Sequence, residues 1–144
     1  MFFANLKDKL SSSVKKLSGR KDFLEAVCAS SALVASADGD ISDDEVKTAV
    51  KVVSANATLS SAFKPSDIEK CIDTMLKRAQ SGRSGRMGLH KEIEQIASNP
   101  EMAEMTYLCA LDVAEGDGNI GEKEKETLTM IAKKLGVNEK AMLV

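Results

Sequence analysis

The sequence predicts an all-α, single-domain bundle of about seven helices, and three observations support this fold class. Apolar residues recur at three- and four-residue steps along most of the 144-residue chain, which is the period of an amphipathic helix. Aromatic residues make up only 3% of the chain and prolines number two, so aliphatic side chains fill the core and long windows remain free for helix. Strand-like alternation of polar and apolar residues is absent.

The first predicted helix is a basic amphipathic segment at residues 1–18, ahead of a helical domain at residues 19–144. Two interpretations of this segment stay open. It anchors on an anionic membrane face or on a partner protein, or it packs on the bundle or is mobile when free. The candidate contact residues are Phe2, Phe3, Lys7, Lys9, Lys15 and Lys16.

The next predicted helices cover about residues 20–37 and 43–55 and flank an Asp-Gly turn. Ser42 and Glu45 have the spacing of a capping box at the start of the second of these helices. Ser66 and Glu69 have the same spacing, which predicts that a further helix begins there and continues to about residue 80.

Residues 81–86 read Ser-Gly-Arg-Ser-Gly-Arg and interrupt the helical pattern, which predicts a mobile basic loop. The basic residues around it fit either phosphate binding or a solvated loop; they are Arg78, Arg83, Arg86, His90 and Lys91. Another helix follows, and then Asn99 and Pro100 supply the N-cap and first residue of a helix that extends to about residue 115. The last predicted helix ends at Gly136.

The two Asp-Gly turns belong to an internal repeat with an offset of 79 residues. The shared unit is helix, D-G-x-I-x-x-x-E, helix, which predicts two related hairpins about an approximate twofold axis. The identities between the copies are Val34 and Val113, Ala35 and Ala114, Asp38 and Asp117, Gly39 and Gly118, Ile41 and Ile120, Glu45 and Glu124, and Thr48 and Thr127.

The repeated turns match the second half of an EF-hand calcium loop, which has Gly at its sixth, an apolar residue at its eighth and a bidentate Glu at its twelfth position. Their first position fails, because Val34 and Val113 replace the anchoring aspartate. Asp112 and Glu115 are further candidate ligands beside the second turn. In the alternative interpretation the acids only cap helices and complement their dipoles.

Several function classes are disfavoured by the sequence. A single histidine, with no P-loop and no G-x-S-x-G, argues against an enzyme. A pI of about 5.5 argues against a nucleic-acid-binding protein. The three cysteines form no C-x-x-C and are interpreted as buried reduced thiols of a cytosolic protein. No apolar run reaches the roughly 18–20 residues of a membrane span, and the start of the chain lacks a secretory h-region.

The paired stretches "ADGDISDDE" and "GDGNIGEKE", together with "IAKKLGV" and the opening "MFFANLKDKL", resemble the TerB family of bacterial tellurite-resistance proteins. The resemblance implies a bundle of duplicated helical units and a cytoplasmic, non-catalytic role in stress responses that include tellurite and phage resistance. It also implies association with the family's integral membrane partner, TerC.

The same resemblance implies that acidic clusters bind a divalent cation. Carried over by position, the ligands are Asp38, Asp40, Glu45, Asp117, Asn119 and Glu124. Gly116 stands where the family has a small Ala or Ser, and Asn119 stands where an acid is possible, so the second site departs further from the family pattern.

We therefore expect a cytosolic metal-responsive adaptor that binds Ca²⁺ or a similar hard cation and docks to the inner membrane face or a membrane partner. The alternative is a structural protein-interaction module without metal. The oligomeric state is not predicted.

Overall fold

A computed structural model describes residue 17 and residues 19–39, 41–116 and 118–142. These residues form eight α-helices and no strand, which confirms the predicted all-α class. The helices are α1 (Lys21–Ala35), α2 (Asp43–Ala55), α3 (Ala57–Ala62), α4 (Pro65–Gln80), α5 (Arg83–Glu94), α6 (Pro100–Glu115), α7 (Glu122–Leu135) and α8 (Glu139–Met142). The proposed division at residue 18 falls almost wholly outside the described residues.

The centre of the bundle is α1, which packs mainly against α4, α5 and α6. Every residue of α1 from Phe23 to Ala35 except Glu25 is buried. The helix includes two buried serines, and these donate their hydroxyls to backbone oxygens one turn earlier: Ser30 to Ala26 at 2.8 Å and Ser31 to Val27 at 2.9 Å. These bonds matter because a buried hydroxyl without a partner costs about 1–3 kcal/mol.

The predicted repeat is visible in the helix boundaries. α1 and α6 begin 79 residues apart, as do α2 and α7. The first helix of each pair is largely buried, whereas the second helix buries only one side. Each repeated unit is therefore a hairpin with a core helix, an Asp-Gly turn and an amphipathic helix.

Two short helices were not predicted. α3 has 6 residues and α8 has 4, and both are too short for apolar periodicity to reveal them. The start of α3 depends on the Asn56 side chain, whose oxygen accepts a 3.0 Å hydrogen bond from the Leu59 amide.

Two local predictions were wrong. Helix α4 begins at Pro65 with Lys64 in the N-cap position and no side-chain cap, so the Ser66–Glu69 capping box does not form. The proline at the first helical position already has the φ angle the helix needs.

Other boundaries were predicted correctly. The Asn99 side chain caps α6 by accepting a 3.2 Å hydrogen bond from the Met102 amide, and Gly136 ends α7 in the left-handed conformation.

The predicted basic loop at residues 81–86 was also wrong, because α5 already begins at Arg83. Only Ser81 and Gly82 connect α4 to α5, with Gly82 at φ 102°. A Cβ on Gly85 would collide with the backbone carbonyl of Arg78. The glycines therefore allow two helices to approach closely, where the sequence pattern suggested a break.

The three cysteines are all free. Cys28 and Cys109 are buried, as predicted, but Cys71 is only partly buried. Among the described residues, none of the helices combines the length and apolarity that a membrane crossing requires.

Candidate functional site

The first Asp-Gly turn follows α1 directly and is held by two backbone hydrogen bonds. The Ala37 amide donates to the Val34 oxygen at 3.2 Å, and the Gly39 amide donates to the Ser36 oxygen at 2.9 Å. Gly39 has φ 96°, a conformation that costs other residues roughly 1 kcal/mol or more but is open to glycine. The turn therefore requires glycine for its backbone, independently of any ligand.

The second turn reproduces this geometry at the end of α6. The Gly116 amide donates to the Val113 oxygen at 3.1 Å, and the Gly118 amide donates to the Glu115 oxygen at 3.0 Å. Gly118 has φ 92°. Both bonds connect positions that lie 79 residues after their counterparts in the first turn, so the repeat extends to individual hydrogen bonds.

A capping box begins α2, as predicted. The Ser42 hydroxyl accepts a hydrogen bond from the Glu45 amide, and Glu45 Oε1 accepts one from the Ser42 amide, each at 3.1 Å. Asp43 and Asp44 add negative charge to the same helical turn, where it interacts favourably with the helix dipole.

Half of this arrangement persists at the start of α7. Glu124 Oε1 accepts a 3.0 Å hydrogen bond from the Gly121 amide. Glycine has no side chain that could accept a hydrogen bond from the Glu124 amide, as Ser42 does for Glu45 in the first copy. The glutamate of each repeat therefore has a structural role that does not involve a metal.

The carboxylate of Asp38 has no such role. The residue is exposed, and no hydrogen bond or ion pair joins its side chain to any described residue. Asn119 is likewise exposed at the second turn. Asp40 and Asp117, the remaining predicted ligands, lie outside the described residues.

A second pair of acids lies at the end of α6. Asp112 and Glu115 are one helical turn apart and both exposed at the surface. Partial desolvation, and then repulsion from Glu115, raise the pKa of Asp112 above its ordinary value. Two carboxylates that repel each other beside a turn are a place where a cation lowers the electrostatic energy.

The four described members of the predicted ligand set do not by themselves assemble a metal centre. In the part of the chain that the structure describes, no three Asp, Glu, His or Cys side chains are grouped closely enough to hold a metal ion. A cation at either turn therefore needs donors from Asp40 or Asp117, from backbone carbonyls or from water. The predicted membrane-contact residues, Phe2, Phe3, Lys7, Lys9, Lys15 and Lys16, lie outside the described residues.

Gly116 has a packing role that the sequence interpretation missed. A Cβ at this position would lie 2.8 Å from Thr48 Cγ2 and 3.3 Å from Val52 Cγ2. The end of α6 thus packs closely against α2, which accounts for glycine at a position where the first copy of the repeat has Ala37.

Three of the five basic residues that fit phosphate binding in the sequence line a cavity beside the first turn. The cavity itself was not predicted, because residues 81–86 were interpreted as a loop. It is lined by α5 residues that include Arg83, Arg86 and His90. Glycines at every third position, Gly82, Gly85 and Gly88, were the available sequence signal, since that spacing places them near one face of a helix.

These features define an all-helical domain built from two helix–Asp-Gly turn–helix units. Over residues 24–143 the chain matches the family model described as "Tellurite resistance protein TerB", and it belongs to that family. No curated protein and no solved structure matches the chain.

Proposed function

We propose that this TerB-family chain is a non-enzymatic stress-response adaptor that binds a divalent cation through its two Asp-Gly turns. The first candidate is Ca²⁺, because the available donors are oxygens. The adaptor acts in the cytosol at the inner membrane face, where it links to a TerC-like membrane protein in tellurite and phage resistance.

The observation that carries the proposal is the position of Asp38. Gly39 provides the backbone conformation of the turn, and Glu45 caps the start of α2. Neither structural role involves the Asp38 carboxylate. The aspartate nevertheless recurs as Asp117 in the second copy. The exposed Asp38 carboxylate, which contacts no partner among the described residues, is a donor that remains available to a cation.

The first turn has further donors. Glu45 uses Oε1 for the Ser42 amide, and Oε2 receives no hydrogen bond from a described residue. Hard cations such as Ca²⁺ take about 6–8 oxygen ligands, including carbonyls and water. Asp38, Glu45 and Asp40 would provide the side-chain share of such a set, so the affinity is expected to be modest.

The membrane part of the proposal is supported by charge. Residues 1–21 contain six basic residues and one acid, whereas residues 92–126 contain ten acids and two lysines. Anionic membrane surfaces attract basic segments with about 1 kcal/mol per lysine or arginine. The basic residues 1–21 are therefore expected to bind an anionic membrane surface, and the acidic residues 92–126 are expected to bind a cation or a basic partner.

A second candidate function is a purely structural interaction module. The hydrogen bonds of Glu45 to Ser42 and of Glu124 to Gly121 favour it, since they show both glutamates acting at helix starts. In that case the two turns shape a protein-binding surface and take no metal.

Calorimetric titration of the full chain with Ca²⁺, Mg²⁺, Mn²⁺ and Zn²⁺ separates the two candidates. Cation binding predicts saturable heat together with amide shifts around Gly39 and Gly118. Heat equal to the buffer blank, with unchanged amides at both turns, excludes the metal proposal and leaves the structural module. Vesicle sedimentation with and without residues 1–18 tests the membrane contact.

A further inference from the structure

The cavity beside the first Asp-Gly turn has a volume of about 350 Å³. It lies between the turn at residues 36–39, the first half of α5 and the middle of α7. Arg83, Arg86 and His90 line the cavity from α5, Gly39 lines it from the turn, and Met130 lines it from α7. The space is therefore bounded by cationic, backbone and apolar groups from four elements, because Leu33 of α1 also lines it.

The arginine side chains have no acidic partner. Among the described residues, neither Arg83 nor Arg86 forms an ion pair, whereas Arg78 pairs with Glu92 at 3.3 Å. In the part of the chain that the structure describes, no Asp or Glu lines the cavity. Two guanidinium groups thus lie at its wall without an ion pair to any described carboxylate.

The start of α5 adds to this positive potential. Its N-cap is Gly82, which supplies no side-chain cap, and the first turn of this 12-residue helix contains no acid. Arginine at this end opposes the helix dipole, which favours negative charge at the N-terminus. Uncapped amides and two arginines would be stabilised together by an anion.

His90 provides a separate observation. Its Nδ1 is buried from solvent and has no hydrogen-bond partner within the described chain. A buried nitrogen without a partner is uncommon and costs free energy. His90 lines the same cavity as the arginines, but because its Nδ1 is closed to solvent, a ligand in the cavity reaches that nitrogen only if the ring turns.

We propose that this cavity binds the phosphate group of a soluble small molecule. Arg83, Arg86 and the first amides of α5 take the phosphate oxygens, and the His90 ring lies at the cavity wall beside them. Arginine suits this role because its planar donors match phosphate oxygens. Leu33, Met87 and Met130 provide apolar surface for the rest of the ligand. The site needs no metal, but it shares Ser36, Ala37 and Gly39 with the first Asp-Gly turn, so phosphate binding is measured in the absence of cations.

The test uses the full chain in metal-free buffer containing a chelator, so that its result is independent of cation binding. Inorganic phosphate is titrated at constant ionic strength while amide and imidazole NMR signals are followed. We expect saturable shifts at residues 83–87 and 37–39, and an increase in the pKa of His90, whose charged neighbours are Lys134, Glu94 and the two arginines. Shifts that grow linearly, as with chloride, would contradict the site.

The decisive variant combines Arg83→Gln with Arg86→Gln. The matched control is Lys91→Gln, which removes a charge from the same helix at an exposed position outside the cavity. We expect at least about tenfold weaker phosphate binding in the double variant, since charge-assisted hydrogen bonds are lost, and no change in the control. Equal binding by both variants overturns the proposal. If the double variant is misfolded by circular dichroism, Arg86→Gln alone is measured instead.

Two further ligands distinguish the sources of phosphate. Glycerol 3-phosphate represents a soluble phosphate monoester, and vesicles containing phosphatidylglycerol represent a lipid headgroup. Glycerol 3-phosphate binding at the same residues, more tightly than inorganic phosphate, supports the assignment. Vesicle binding that depends on the two arginines, with no soluble phosphate bound, contradicts it.

Discussion

The phenolic oxygen of Tyr107 lies 2.6 Å from Glu139 Oε2, across 32 residues of sequence. The hydrogen bond joins the middle of α6 to the start of the short helix α8. Glu139 Oε1 accepts a second bond from the Thr129 hydroxyl of α7 at 2.9 Å. The half-buried Glu139 carboxylate therefore connects three helices. Burial, followed by this hydrogen bond, raises the pKa of Tyr107 well above its usual value.

Tyr107→Phe is expected to destabilise the protein by about 1.5–3 kcal/mol, because it removes a buried hydrogen bond to a charged acceptor. Thr129→Val removes the exposed bond to the same carboxylate and should cost less than about 1 kcal/mol. Urea unfolding of both variants measures the difference. Equal losses would show that burial of the Tyr107 hydroxyl does not matter.

Capping and cation binding at the first turn can be separated by two substitutions. Ser42→Ala removes the hydroxyl that caps α2 and should lower the free energy of unfolding by about 1 kcal/mol, with little effect on cation affinity. Asp38→Asn leaves every observed hydrogen bond in place, so the stability without metal should stay nearly unchanged while cation affinity falls.

Thermal unfolding and calorimetric titration of the two variants provide this comparison. Glu45→Gln is the informative third variant, because the Glu45 carboxylate accepts a hydrogen bond from the Ser42 amide and is also a predicted ligand. It should lower stability and affinity together. If Asp38→Asn binds Ca²⁺ as the unmodified chain does, the first turn is a structural element only.

The fold was predictable because its signals are local and repeated. Apolar periodicity placed six of the described helices, and Asn99, Ser42 and Gly136 marked helix ends by their side-chain or backbone chemistry. The repeat of 79 residues then paired the hairpins, since a common turn geometry needs the same Asp-Gly sequence in each copy.

Features that depend on tertiary contact were not predictable in the same way. Gly85 appears as a helix breaker in sequence, yet it lies inside α5, where the Arg78 backbone leaves no room for a side chain. Tyr107 and Glu139 are joined only by the fold. The candidate cation ligands were named from the repeat and stay a prediction, because one acid of each turn, Asp40 or Asp117, lies outside the described residues.

The close approach at Gly85 makes a specific prediction. Gly85→Ala improves helix propensity by about 1 kcal/mol, but the new methyl group would meet the Arg78 carbonyl, which cannot move without shifting α4. Overpacking of this kind costs about 1–3 kcal/mol, so we expect a net loss of stability.

Gly88→Ala is the matched control for that substitution. Its Cβ would lie 2.6 Å from the Arg78 guanidinium Nη2, and that flexible side-chain end can move aside. We expect Gly88→Ala to be closer to neutral, with chemical denaturation as the measurement. A Gly85→Ala protein at least as stable as Gly88→Ala would contradict the close packing of α4 and α5.

The single histidine predicts a pH dependence of stability. Burial, followed by the positive charge of Lys134, lowers the pKa of His90 from its ordinary value of 6.5, with Glu94 acting in the opposite direction. Because the folded pKa is lower than the unfolded one, the unfolded chain binds the proton more readily. Stability contributed by neutral His90 is therefore fully present above pH 6.5 and is lost as pH falls from there through the folded pKa.

His90→Gln should flatten this part of the stability curve, because the variant has no proton to bind there. Lys134→Gln should raise the pKa of His90 and shrink the dependence, although it also breaks the 3.0 Å ion pair with Glu94. NMR titration of the one imidazole, together with unfolding free energies between pH 5 and 8, tests both expectations. A native His90 that titrates at or above 6.5 would show that its ring is not desolvated between α5 and α7.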